Sequence, residues 1–150
     1  MEFIENNKLS SKKMAIWFSL AVFFVLIDRF LKILSLKQFN FTIINNLFEF
    51  NLAKNYFIAF SIPISGKILN YLILIIIFSL IYYYLRLKNY FKIPIIFIIL
   101  GASSNLLDRF QYGYVIDYLS VKWFTVFNIA DIMIVCAISF LLFIEFNKKA

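Results

Sequence analysis

Histidine is absent from this 150-residue sequence, and cysteine occurs once. A Ser-His-Asp or Cys-His mechanism, a His-Glu-x-x-His zinc site and a haem-ligating histidine are therefore excluded. So are an internal disulfide framework and a Cys-x-x-Cys motif. Glycine occurs three times and proline twice, which leaves no room for a Rossmann or P-loop fingerprint. Acids are also scarce: Asp and Glu number 8 against 15 Lys and Arg, for a net charge of +7. Any bond-breaking chemistry must run on carboxylates, amides, hydroxyls, Lys or Arg.

What the sequence has in excess is apolar surface. Hydrophobic residues make up 63% and aromatics 21%, charged residues only 15%, and the mean hydropathy is +0.88. An ordinary soluble domain is about 45–50% apolar and about 25% charged. A soluble globule of this size could not hide the surplus from water, and the same surplus excludes disorder. The solvent for most of the chain is a bilayer. A net charge of +7 on a soluble protein would suggest nucleic acid. Here the basic residues sit between apolar runs, which points to membrane orientation and to no nucleic-acid partner.

Four apolar runs, at about residues 14–36, 68–85, 91–107 and 129–146, approach the roughly 20 residues that a spanning helix requires. The third is short unless its polar end is counted. The first is too long for a secretory signal, and no small-residue cleavage site follows it, so it reads as a retained span. Residues 39–63 are rich in aromatic and β-branched residues with partial alternation, and predict a small β-rich or interfacial element. The expected fold is an all-α membrane protein of one domain, residues 1–150. It has four transmembrane helices and an extracytoplasmic β-rich element between the first two spans. Lys8, Lys12 and Lys13, then Arg86, Lys88 and Lys92, then Lys148 and Lys149 place both termini and the middle connection in the cytoplasm. Asp28, Glu49, Asp108, Asp117 and Asp131 then fall on or near the outer side. Ionisable groups in or beside spans are costly, and their default reading is functional.

Asp28 and Lys32 are spaced to pair along one helix face, with Lys32 snorkelling to the interface. Asn105, Asp108 and Arg109 project together at the end of the third span, and the adjacent Arg109 would keep Asp108 ionised, an orienter rather than an acid. Asp117 has no basic neighbour in Tyr114-Val115-Ile116-Asp117-Tyr118. It is either a solvated loop residue or a carboxyl with a raised pKa. Asn128 could cap the fourth helix, with Asp131 in its first turn. Cys136 reads as a small packing residue, and Ser103 and Ser104 as points of close helix contact. Two aspartates in a partly dry site share one proton, so that one activates water and the other acts as acid. An ion-coupled carrier would also cluster acids, but near the bilayer midplane at broken helices. A purely structural bundle would not need four aspartates and two asparagines at helical spacing.

These segments together resemble the bacterial lipoprotein signal peptidases, the signal peptidase II family. Asp28-Arg29-Phe30-Leu31-Lys32 resembles its D-x-x-x-K box, and Asn55-Tyr56-Phe57-Ile58-Ala59-Phe60-Ser61 its N-x-G-x-A-F-[GS] segment, with Phe57 where the family has Gly. Gly101-Ala102-Ser103-Ser104-Asn105-Leu106-Leu107-Asp108-Arg109 resembles G-x-x-x-N-x-x-D-R. Gly113 to Tyr118 resembles G-x-V-x-D-[FY], and Phe127-Asn128-Ile129-Ala130-Asp131 resembles F-N-x-A-D. The resemblance implies an aspartyl endopeptidase that cuts prolipoproteins before a diacylglyceryl-modified Cys, in the bacterial cytoplasmic (inner) membrane. It implies Asp117 and Asp131 as the catalytic pair. Asn55, Asn105, Asp108, Arg109 and Asn128 would orient the pair or the substrate, and Asp28, Lys32, Gly101 and Ala130 would support the site. No metal and no cofactor are implied. Lipid-modified prolipoproteins, membrane phospholipid and a globomycin-type inhibitor are the expected partners.

Overall fold

A computed structural model describes residues 11–45, 47–56, 66–87 and 91–149. The element order is α1 (Ser11–Leu36), β1 (Phe41–Ile44), β2 (Phe48–Asn55), α2 (Gly66–Arg86), α3 (Lys92–Tyr112), β3 (Val115–Val121), β4 (Val126–Phe127) and α4 (Ile129–Lys149). Each of the four helices is long and apolar enough to cross a membrane. All four expected spans are present. The third runs five residues past the expected end at 107, because its polar end is helical. Phe57 and the rest of its segment, through Ser61, lie outside the described residues, as do Lys8 and Lys88.

The helices are apolar around most of their circumference, as expected where lipid is the solvent. Ile16, Phe23, Leu26 and Phe30 of α1 and Ile68, Phe78 and Leu85 of α2 are all more than half exposed. Only a stripe of α1 is buried, and its members are Ala21, Asp28, Lys32 and Ser35. Spacings of seven, four and three keep them on one face. Helix α3 is the centre of the bundle and packs on α1, α2 and α4. Half of its most apolar window is buried, against 11% for α1 and α2. Two small apolar clusters hold it there. Ile96 meets Ala21 and Met133, while Ile95 and Ile98 meet Ala137.

The sheet is four-stranded and antiparallel, in the order β1-β2-β3-β4. Strands β1 and β2 come from the expected region between the first two spans. Strands β3 and β4 come from the connection between α3 and α4, which the sequence did not mark as strand. Asp117 is therefore not a loop residue. It sits in β3, where Val115, Ile116, Asp117 and Tyr118 are all buried. Gly113 makes this possible. Its φ of 81° ends α3 in a left-handed cap, with its N–H donating to the Arg109 carbonyl. The chain thus turns from helix to strand within three residues, and Asp117 lands beside the helix end that carries Asp108.

Gly101 sets the distance between α3 and α4. A Cβ there would lie 2.8 Å from the Ala130 carbonyl oxygen and 3.0 Å from Ile134 Cγ1. The obstructing atom is backbone in the first turn of α4, so it cannot rotate away. Gly101→Ala should lower stability by about 1–3 kcal/mol, the range for overpacking, measured by thermal unfolding in detergent. Unchanged stability would show that α4 is free to shift.

Candidate active site

The polar cluster at one end of the bundle is organised around Lys32. Its side chain is fully buried, as is that of Asp28. The ammonium has three protons, and three acceptors meet it: Asp28 Oδ2 at 2.9 Å, Asp108 Oδ2 at 2.7 Å and Asn105 Oδ1 at 2.8 Å. The pairing with Asp28 agrees with the spacing, but the snorkelling does not. Lys32 turns inward because two carboxylates and an amide replace its hydration, without which a buried charge would be prohibitive.

Asp28 is saturated by four donors. Ser104 Oγ donates to Oδ2 at 2.7 Å beside Lys32, while the Tyr118 hydroxyl at 2.9 Å and the Ala130 N–H at 3.3 Å donate to Oδ1. Asp108 Oδ1 is paired with Arg29, and its Oδ2 also accepts the Ile116 N–H at 3.3 Å. The cations at ion-pair distance from Asp108, among the described residues, are Arg29 and Lys32. Arg109, the neighbour expected to keep Asp108 ionised, is not among them. Consecutive helix residues do not face each other, and the Arg109 guanidinium instead donates to the Tyr56 carbonyl at 3.4 Å.

Asn105 passes the network on. It accepts from Lys32 and donates to Asp131 Oδ1 at 2.8 Å. Asn128 is the bridge between the two halves. Its amide nitrogen donates to Asp117 Oδ1 at 2.6 Å, and its Oδ1 accepts the Asp131 N–H at 2.9 Å. Asp131 Oδ2 returns a contact to the Asn128 N–H at 3.2 Å. This is a reciprocal capping box built from Asn and Asp. With the Ile129 N–H on the Tyr118 hydroxyl at 3.1 Å, every N–H of the first three α4 residues ends on a side chain.

The other oxygen of Asp117 accepts from Asn55 Nδ2 at 3.0 Å. A bulge in the sheet makes that contact. The pairing runs Phe50↔Leu119 and then Ala53↔Asp117, so β2 spends one extra residue between them. An unbroken ladder would set Lys54 opposite Val115. The bulge sets Asn55 there, diagonal to Asp117 and within reach of its carboxylate.

Burial, followed by the charge of Asp131, pushes the Asp117 carboxyl up to about 7. The amides of Asn55 and Asn128 oppose the shift without cancelling it. Around the pair, four carboxylates (Asp28, Asp108, Asp117, Asp131) face three cations (Arg29, Lys32, Arg109). One proton brings the cluster to neutrality, which is the favoured state at low dielectric.

Residues 20–147 match the family model described as Signal peptidase (SPase) II. The chain belongs to the signal peptidase II family. It is a hydrolase and a multi-pass membrane protein. The lipoprotein signal peptidase of Clostridium novyi (strain NT) is 35% identical over 127 residues, covering 76% of this chain and 86% of that protein. That of Microcystis aeruginosa (strain NIES-843 / IAM M-2473) is 32% identical over 146 residues, covering 89% and 94%. A solved bacterial membrane enzyme shares the fold with a TM-score of 0.82 at 23% identity, over 91% of this chain and 90% of that one. A second gives 0.76 at 24% identity, over 87% and 92%.

The peptidase thus gathers Asp28, Lys32, Asn55, Asn105, Asp108, Asn128, Ala130 and Asp131 into one bonded network with Asp117. Gly101 lies under it as a spacer. Three members were missed from the sequence. Arg29 and Ser104 flank motif positions but carry no signal of their own, and Tyr118 looked like an apolar neighbour of Asp117. Ser104 is a buried donor rather than a mere contact point. Cys136 is exposed on α4 and does not pack inside. Among the described residues, no group of His, Cys, Asp or Glu is arranged to hold a metal ion.

A carboxyl held above its ordinary value makes the folded state bind a proton that the unfolded chain releases. The stability this gives is complete below the ordinary value of 3.8 and is lost as pH rises through about 7. Infrared spectra of the reconstituted peptidase should show a protonated-carboxyl band that disappears about pH 7 and is missing from Asp117→Asn. A band that persists in that variant would assign the proton elsewhere.

Proposed function

We propose that this peptidase removes the signal peptides of prolipoproteins by cleaving before a diacylglyceryl-modified Cys, with Asp117 and Asp131 sharing one proton across an activated water. The observation that carries the reading is the bridge at Asn128. One amide side chain binds a carboxylate on β3 and caps the helix turn that holds the other. The two acids are thereby held together while remaining on separate elements.

In this mechanism Asp117 holds the proton at rest, because burial favours its neutral form. Asp131 takes a proton from water as the oxygen attacks the carbonyl carbon. Asp117 protonates the carbonyl oxygen as charge develops there. Asp131 then passes its proton to the leaving nitrogen, and the C–N bond breaks. Collapse of the intermediate returns the other proton to Asp117, so the pair is restored. Asn55, Asn105 and Asn128 keep the carboxylate planes fixed, and Arg109 offers positive charge beside the pair. The distribution of Lys and Arg supports cytoplasmic termini and a site at the outer face of the bacterial inner membrane. There the lipid on the substrate Cys would hold the scissile bond at the level of the pair.

Cleavage of a diacylglyceryl prolipoprotein in liposomes tests this reading. Asp117→Asn and Asp131→Asn should each lower turnover by about a hundredfold or more while remaining folded and inserted. Wild-type turnover in either variant would overturn the assignment.

A further inference from the structure

The reaction proposed above uses two carboxylates on separate elements, and the pairing of β3 with β4, Leu119 with Phe127, ends before α4 begins. Asp117 rides on β3, and Asp131 rides on the first turn of α4. One side chain joins both to a third element. Tyr118 is fully buried and is the next residue after Asp117. Its hydroxyl accepts the Ile129 N–H at 3.1 Å and donates to Asp28 Oδ1 at 2.9 Å. Asp28 Oδ1 in turn takes the Ala130 N–H. The first two N–H groups of α4 therefore end on the Tyr118 hydroxyl and on the atom to which it donates.

We propose that the Tyr118 hydroxyl is a positioning group, which fixes the helix turn of Asp131 against the strand of Asp117 and against Asp28. It makes no contact with substrate in this role. Burial and the neighbouring charge of Asp28 hold the phenol above its ordinary pKa, so the hydroxyl keeps its proton and its donor direction. Removing the hydroxyl leaves the Ile129 N–H and one lone pair of Asp28 without their partner, and the α4 turn becomes free to drift.

The inference rests on the two-aspartate reading, and the experiment separates the two. Prolipoprotein cleavage is measured for wild type, Tyr118→Phe, Phe50→Leu, Asp117→Asn and Asp131→Asn, with thermal stability for each. Phe50 is the packing control. Its ring lies 5.4 Å from that of Tyr118 and is buried. Tyr118→Phe should lower kcat about tenfold, as a small misplacement of catalytic groups does, and leave KM within about twofold. Phe50→Leu should lose stability and keep kcat. Wild-type kcat in Tyr118→Phe beside inert Asp variants would overturn this inference alone. So would a rise in KM at constant kcat, or a loss of kcat in both Tyr118→Phe and Phe50→Leu that follows stability. Active Asp variants would overturn both readings.

Discussion

A lysine ammonium with no exposure to solvent has to be met by acceptors on every proton, and that requirement organises one end of this protein. Lys32 draws Asp28 from its own helix and Asp108 and Asn105 from α3. Its desolvation would cost several kcal/mol if any partner were lost. The partners must therefore converge, and their remaining hydrogen-bonding capacity decides what else converges with them. Asp28 uses its spare lone pairs on Tyr118 and the first turn of α4. Asn105 uses its amide on Asp131. The charge that looks most structural thus positions both proposed catalytic groups.

The sheet completes the arrangement from the other side. Gly113 turns the chain into β3, the bulge in β2 brings Asn55 onto Asp117, and Gly101 lets α4 approach closely enough for Asn128 to bridge. These are backbone devices, and each sits next to a polar contact that it permits. Lipid-facing surfaces need no such precision, and there the sequence is largely Ile, Leu, Phe and Tyr.

Legibility followed the same division. The four spans were plain from apolar run length, because a bilayer imposes a length on any helix that crosses it. The pairing of Asp28 with Lys32 was plain from spacing, because a helix fixes which residues share a face. What the spacing could not show was the third dimension. Lys32 pointing inward depends on Asp108 and Asn105, more than seventy positions away. The ion-pair partners of Asp108 are Arg29 and Lys32, across a helix interface, where sequence adjacency favoured Arg109. Strand β3 was hidden because it holds an acid and its first four residues are all buried, so that half lacks the alternation that marks a half-exposed strand. Tyr118 gave no polar signal, since a buried tyrosine and a buried phenylalanine look alike until the hydroxyl finds its partners.

The central claim is that one proton is shared by Asp117 and Asp131 in a cluster that is otherwise charge-balanced. The pH dependence of kcat/KM for a diacylglyceryl prolipoprotein tests it most directly. The alkaline limb should fall as the pair loses its proton about pH 7, with the protein still folded. A rate that stays flat well above that pH would contradict a shared proton and the mechanism built on it.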